Sequence, residues 1–125
     1  MAKREFTPAS ANKTLPLVRR IVQDIQAKGG ELRALARGGG GKDGARLEEL
    51  EAEVEELMRE LSAIGCSYKD GTFEVGLVDF PGTIGGKPVF LCWRSDEDRV
   101  TWYHPRDEGY AGRRRIPAQE LQGSG

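Results

Sequence analysis

The stretch "LEELEAEVEELMRELSAIGCSYKDGTFEVGLVDFP", residues 47–81, changes its hydrophobic period once, and that change decides the architecture. Leu47, Leu50, Val54, Leu57, Leu61 and Ile64 recur at alternating spacings of three and four, the narrow stripe of a helix lying along one partner helix. The positions between them are crowded with glutamate, so the far side stays in water. Residues 46–64 therefore read as a helix, roughly 28 Å long at ~1.5 Å per residue. After Gly65 the period becomes two. Phe73, Val75 and Leu77 share a face, as do Val89, Leu91 and Trp93, and then Val100, Trp102 and His104. Gly85-Gly86 suits a two-residue turn between the first two strands, and "SDED" at 95–98 turns the third back, giving an antiparallel meander. Pro88 limits hydrogen bonding where the second strand starts, which places that end at an edge or bulge.

The partner helix lies upstream. Leu17, Val18, Ile21, Val22 and Ile25 make a broad apolar face that thins through Leu32 and Leu35, so the first half is expected to touch both the second helix and the sheet. Thr7 before Pro8 reads as an N-cap and first helical residue, and Pro16 predicts a kink after a lead-in over residues 8–15. Residues 13–37 hold six basic and two acidic side chains, residues 46–64 two basic and seven acidic, which favours antiparallel pairing modestly. Between them "RGGGGKDGA", 37–45, is too glycine-rich for helix. Its "GGGGKD" lacks the Ser or Thr, the preceding strand and the glycine spacing of a phosphate-binding loop, so it reads as a hairpin tip. The predicted fold is α+β: an N-terminal antiparallel helical hairpin, coiled-coil-like, packed at its base on a small antiparallel β-meander. The whole of 1–125 is expected as a single domain, with helix one over 7–37, the tip over 38–45, helix two over 46–64, the meander over 72–116 and a tail over 117–125.

With 19 basic and 20 acidic residues the chain carries no field that would draw it to nucleic acid or an anionic membrane. The stacking-platform reading of Trp93-Arg94, Trp102-Tyr103 and Tyr110 is correspondingly disfavoured. Cys66 and Cys92 stand apart from any Cys-x-x-Cys motif and from the histidine, which argues against a structural zinc site and for reduced thiols in a cytoplasmic protein, with one disulfide between them left open. The opening "MAKREFTPAS" lacks a signal peptide's apolar core, and no apolar run reaches the ~20 residues of a membrane helix.

"FTPASANKTLPLVRRI" (6–21), "GLVDFP" (76–81), "VFLCWR" (89–94), and "YH" with "GYAGRR" (103–114) together resemble the prokaryotic domain of unknown function 2203 family. The resemblance covers nearly the whole chain. It implies a small cytosolic protein with a helical hairpin, and it lays weight on Leu15-Pro16, Asp79-Phe80-Pro81, Cys92-Trp93-Arg94, His104, Gly109, Gly112 and Arg113. It carries no activity and names no cofactor.

Candidate chemistry concentrates after residue 78. His104, the one histidine, reads as a hydrogen-bonded packing residue at a strand end. With Asp79, Asp107 or Glu108 it becomes a metal site for iron, manganese or zinc, provided Asp79 lies beside it. Asp79 reads as a turn residue before Pro81-Gly82, or as a general base beside His104. Arg94, Arg113 and Arg114 are candidates for gripping a phosphate or carboxylate, although strand alternation splits consecutive arginines between two faces. Cys92, between Leu91 and Trp93, reads as a small packing residue. No nucleophile motif surrounds the histidine, so enzyme status stays open. The leading expectation is an interaction or ligand-binding module, taking a small anion through Asp79, Arg94, His104, Glu108, Arg113 and Arg114 and pairing with a protein partner or a second copy through the hairpin. The alternative is a metal- or anion-dependent enzyme built on Asp79, His104, Glu108 and Arg113.

Overall fold

The computed structural model describes residues 5–38, 44–69 and 73–122. Two long helices pack together and sit on a five-stranded antiparallel sheet, an α+β fold. Helix α1 spans Pro8–Gly38 and α2 spans Gly44–Ile64. The inner part of the glycine tip, with Lys42 and Asp43, and the terminal Gly-Ser-Gly lie outside the described residues.

Thr7 caps α1: its Oγ1 accepts the Ser10 N–H at 3.1 Å, while Ser10 Oγ accepts the Thr7 N–H at 2.9 Å. The helix runs unbroken through Pro16. Asn12 fastens this first part to the sheet side of the molecule, donating to the Val100 carbonyl at 3.0 Å and accepting the Val100 N–H at 2.7 Å. Leu15, Val18, Ile21, Val22 and Ile25 are buried, and no residue of α1 beyond Gly29 is, so only the near half reaches the common core. Leu17 corrects the predicted apolar face: it is 52% exposed, one helical step of ~100° from Val18 and outside the stripe. Across the hairpin, Lys28 pairs with Glu53 at 2.8 Å and Arg46 with Glu31 at 3.1 Å, the second pair running against the net charge of each helix.

The strands are β1 (Ser67–Tyr68), β2 (Leu77–Ile84), β3 (Lys87–Arg94), β4 (Trp102–Pro105) and β5 (Arg114–Arg115), lying side by side in that order. Gly85 and Gly86, both with positive φ, make the β2–β3 turn. Pro88 pairs with Thr83, but the β4 ladder begins only at Val89, so the proline lies beyond the neighbouring strand on that side.

The first strand starts later than its alternation suggests. Phe73 takes a left-handed φ of 64°, which no strand continues, and its ring packs against Gly29 instead. Pro81 and Gly82, expected to open a turn, lie inside β2. The Pro81 carbonyl accepts the Phe6 N–H at 2.8 Å, so this residue's backbone polar groups point away from β3 and its missing N–H costs that ladder nothing. Gly82 is required by close approach, since a Cβ there would stand 2.3 Å from the Phe6 carbonyl oxygen.

The expected C-terminal tail contains a short helix, α3 (Ala118–Gln122), which packs near α1. Leu121 lies against the core, and Glu120 accepts the Gly85 N–H at 2.9 Å. These contacts explain why the segment is ordered without a long apolar pattern of its own.

Candidate functional site

Alternation along the sheet separates two surfaces. Val78 and Phe80 of β2 and Val89, Leu91 and Trp93 of β3 face the helices and form the core with them. Leu77, Asp79, Phe90, Cys92, Arg94, Trp102 and His104 therefore occupy the other side. Asp79 is directly opposite Cys92, and Phe90 is opposite His104.

Asp79 is buried in mid-strand, not in a turn, and its carboxylate meets the ring of His104: Nε2 lies 3.2 Å from Oδ1 and 3.3 Å from Oδ2. The other ring nitrogen, Nδ1, is 2.9 Å from the Pro105 carbonyl oxygen. A carbonyl can only accept, so Nδ1 carries a proton, and any hydrogen bond on the Asp79 side uses a proton shared between Nε2 and the carboxylate. His104 is thus held by its own neighbour in one tautomer, with Nε2 aimed at Asp79.

Cys92 completes the cluster. One donor atom each from Asp79, Cys92 and His104 lie within 4.8 Å of one another, all three residues buried. Burial pushes the Cys92 thiol up to about 11, with the Asp79 charge adding to the rise and Arg113 opposing it. That rise favours the neutral thiol over the reactive thiolate of a redox cysteine. Cys66 is buried in the apolar core, on the opposite side of the sheet, with its Sγ 3.6 Å from the Leu61 carbonyl.

The three side chains floor a cavity of about 380 Å³ walled by Leu77, Phe90 and Tyr110 and edged by Lys69, Arg106 and Glu108. The Lys69 ammonium stands 5.9 Å from the Phe90 ring and has no carboxylate within ion-pairing distance among the described residues. Arg106 lies 5.0 Å from the same ring, but its nitrogens are engaged by the Val89 and Gly82 carbonyls, at 3.1 Å each, and by Glu5 at 3.3 Å.

The remaining candidates serve the frame. Arg113 makes a two-pronged pair with Glu97 at 2.7 and 2.8 Å, donates to the Cys92 carbonyl at 3.1 Å, and stacks over Trp102 and Tyr110 at 5.0 and 4.8 Å. It pins the loop after β4 and presents no free fork. Arg94 bonds the Tyr110 hydroxyl at 3.0 Å and lies 3.2 Å from Asp96, while Arg114 stands 3.4 Å from Glu108 and sits on the strand position opposite Tyr103. Asp107 is exposed and outside the cluster. Trp102 is not core as its alternation with Val100 suggested: Val100 joins the core, whereas Trp102 is half-buried on the other face beneath Arg113 and Arg115. The structure thus unites Asp79, His104 and Glu108 around one cavity and adds Lys69, Cys92, Phe90 and Arg106, which sequence reasoning did not select. For Cys92 the signal was present, since alternation puts it opposite Leu91 and Trp93.

Residues 4–116 match the family described as "Uncharacterized conserved protein (DUF2203)". The chain belongs to that family. Asp79, Cys92 and His104 each come from one of the segments on which the DUF2203 resemblance rests. No curated protein and no solved structure matches the chain. No helix among the described residues is long and apolar enough to cross a membrane.

Proposed function

We propose that this DUF2203 protein is a cytoplasmic binding module for a small anionic molecule, seated in the cavity on the uncovered face of its sheet. The observation that carries this reading is Lys69: a cation without an acidic partner among the described residues, at the mouth of an apolar-walled cavity with a polar floor. Such a pocket fixes a ligand's orientation by a few convergent polar groups while its walls exclude water. Lys69 supplies charge, Phe90 and Tyr110 supply wall, and the Asp79–His104 pair supplies a buried acceptor and donor.

Titration of the labelled protein with inorganic phosphate, acetate, succinate and citrate, followed by amide chemical shifts, tests it. At least one anion is expected to move the resonances of Lys69, Phe90 and His104 together and to saturate. Lys69→Ala is expected to weaken that anion about tenfold or more, the worth of one charge-assisted hydrogen bond of roughly 1.5–3 kcal/mol. No saturable shift at the cavity with any of the four, or an affinity indifferent to Lys69→Ala, overturns the reading.

A further inference from the structure

We propose that Asp79, Cys92 and His104 form a three-ligand site for a thiophilic divalent cation of the zinc class, with its remaining coordination position open to the cavity. The site lies on the floor of the same cavity, and metal binding there is read without reference to Lys69 or to any anion.

The spacing of the three side chains is close to that of a tetrahedral ion's ligands. Ligand atoms held about 2.0–2.3 Å from a tetrahedral ion lie roughly 3.3–3.7 Å from one another. The Asp79 and His104 atoms are already 3.2 Å apart, and the widest separation in the set, within 4.8 Å, closes by a shift of about 1 Å, within reach of small side-chain rotations. The three residues stand on three adjacent strands in fixed register, Asp79 opposite Cys92 on β2 and β3, and His104 on β4, so the backbone ladder holds their spacing.

The histidine's other nitrogen is engaged as a metal-bound imidazole's would be. Imidazoles that ligate a metal donate their remaining N–H to a carboxylate or a backbone carbonyl, which fixes tautomer and ring direction. His104 does this with Nδ1–H on the Pro105 carbonyl at 2.9 Å, leaving Nε2 as the atom that meets Asp79.

Asp79 is buried with a single donor, His104 Nε2, on its two oxygens among the described residues. The shared proton leaves the Asp79–His104 pair neutral, and a dication held by one carboxylate, one thiolate and one neutral imidazole keeps the buried set neutral once that proton and the Cys92 proton depart. Binding releases the Cys92 thiol proton and the proton shared between Nε2 and the carboxylate, and forms one bond each to sulfur, nitrogen and oxygen. A mixed S, N, O set selects zinc or its borderline neighbours over magnesium or calcium, which take oxygen ligands.

Cobalt(II) titration of chelator-stripped full-length protein tests the proposal. The expected result is a sulfur-to-cobalt charge-transfer absorption in the near ultraviolet that saturates at one cobalt per chain and is bleached by zinc. Cys66→Ser is expected to keep the band, and Cys92→Ser and His104→Ala to lose it or weaken cobalt binding at least tenfold. Absence of the band in the wild-type protein, or its persistence in folded Cys92→Ser, overturns the site. The wild-type titration decides even if a variant fails to fold. Because the phosphate and carboxylate titrations read Lys69 in metal-free protein, either result can fail without the other.

Discussion

The two faces of the sheet are built from the same three strands and differ in what covers them. The inner face packs into the core with residues of α1 and α2, and Phe80, Leu91 and Trp93 on it have no exposure. Among the described residues neither α1 nor α2 covers the outer face. It is closed at one side by Arg113 laid across Trp102 and Tyr110, and elsewhere it opens as a cavity over Asp79, Cys92 and His104. A chain with one helical hairpin can cover one face, so apolar burial concentrates there and polar residues that would be costly in the core are tolerated on the other. Stability and chemistry are thereby assigned to opposite sides of one strand pair.

The largest expected effect is on the sealed side. Leu91→Ala, at a position with no exposure, should destabilise by about 2–5 kcal/mol in denaturant unfolding, because it leaves a cavity as well as losing transfer energy. Phe90→Ala, one residue away on the open side and only half-buried, should cost less despite the larger side chain removed. Equal costs would break the contrast between the faces.

Next in size is the buried polar pair. His104→Ala should cost about 1–3 kcal/mol by leaving the Asp79 carboxylate without its donor. Adding Asp79→Ala to that variant should recover part of the loss, a coupling measurable in a double-mutant cycle. Strict additivity would mean the two side chains do not depend on each other.

A smaller effect concerns alkaline pH. The folded Cys92 thiol titrates at about 11, above the 9.0 of an unperturbed thiol, so the unfolded chain ionises first. Stability from this residue is intact below pH 9 and declines as pH rises from about 9 to 11. Cys92→Ser should flatten that decline in urea midpoints, while Cys66→Ser leaves the Cys92 contribution in place. A slope unchanged by Cys92→Ser would remove the thiol from its buried position.

The hairpin was legible because Leu50, Val54, Leu57 and Leu61 repeat without interruption and their partners on α1 do the same. Gly85-Gly86 announced its turn for an equally local reason. The faces of the sheet were harder. Phe73, Val75 and Leu77 alternate perfectly, yet the left-handed backbone at Phe73 ends any strand there, and nothing in the residue type requires that conformation. Asp79 beside Pro81-Gly82 matches turn chemistry, but Phe6 docks along β2 and lets the proline sit in a strand, a contact seventy-odd residues away in sequence. Val100 and His104 share parity, but Val100 lies outside β4, so parity failed across the strand's end. The site followed only once register was known, since Cys92 meets Asp79 and His104 through pairing between strands rather than through any motif.

The lone histidine allows the account to be tested on one resonance pair. Long-range proton–nitrogen correlation on the His104 imidazole should show Nδ1 protonated and protected from exchange by the Pro105 carbonyl, with Nε2 responding to Asp79→Asn. A ring protonated on Nε2 alone, with Nδ1 free and exchanging, would contradict the placement of this side chain and with it the polar floor of the open face.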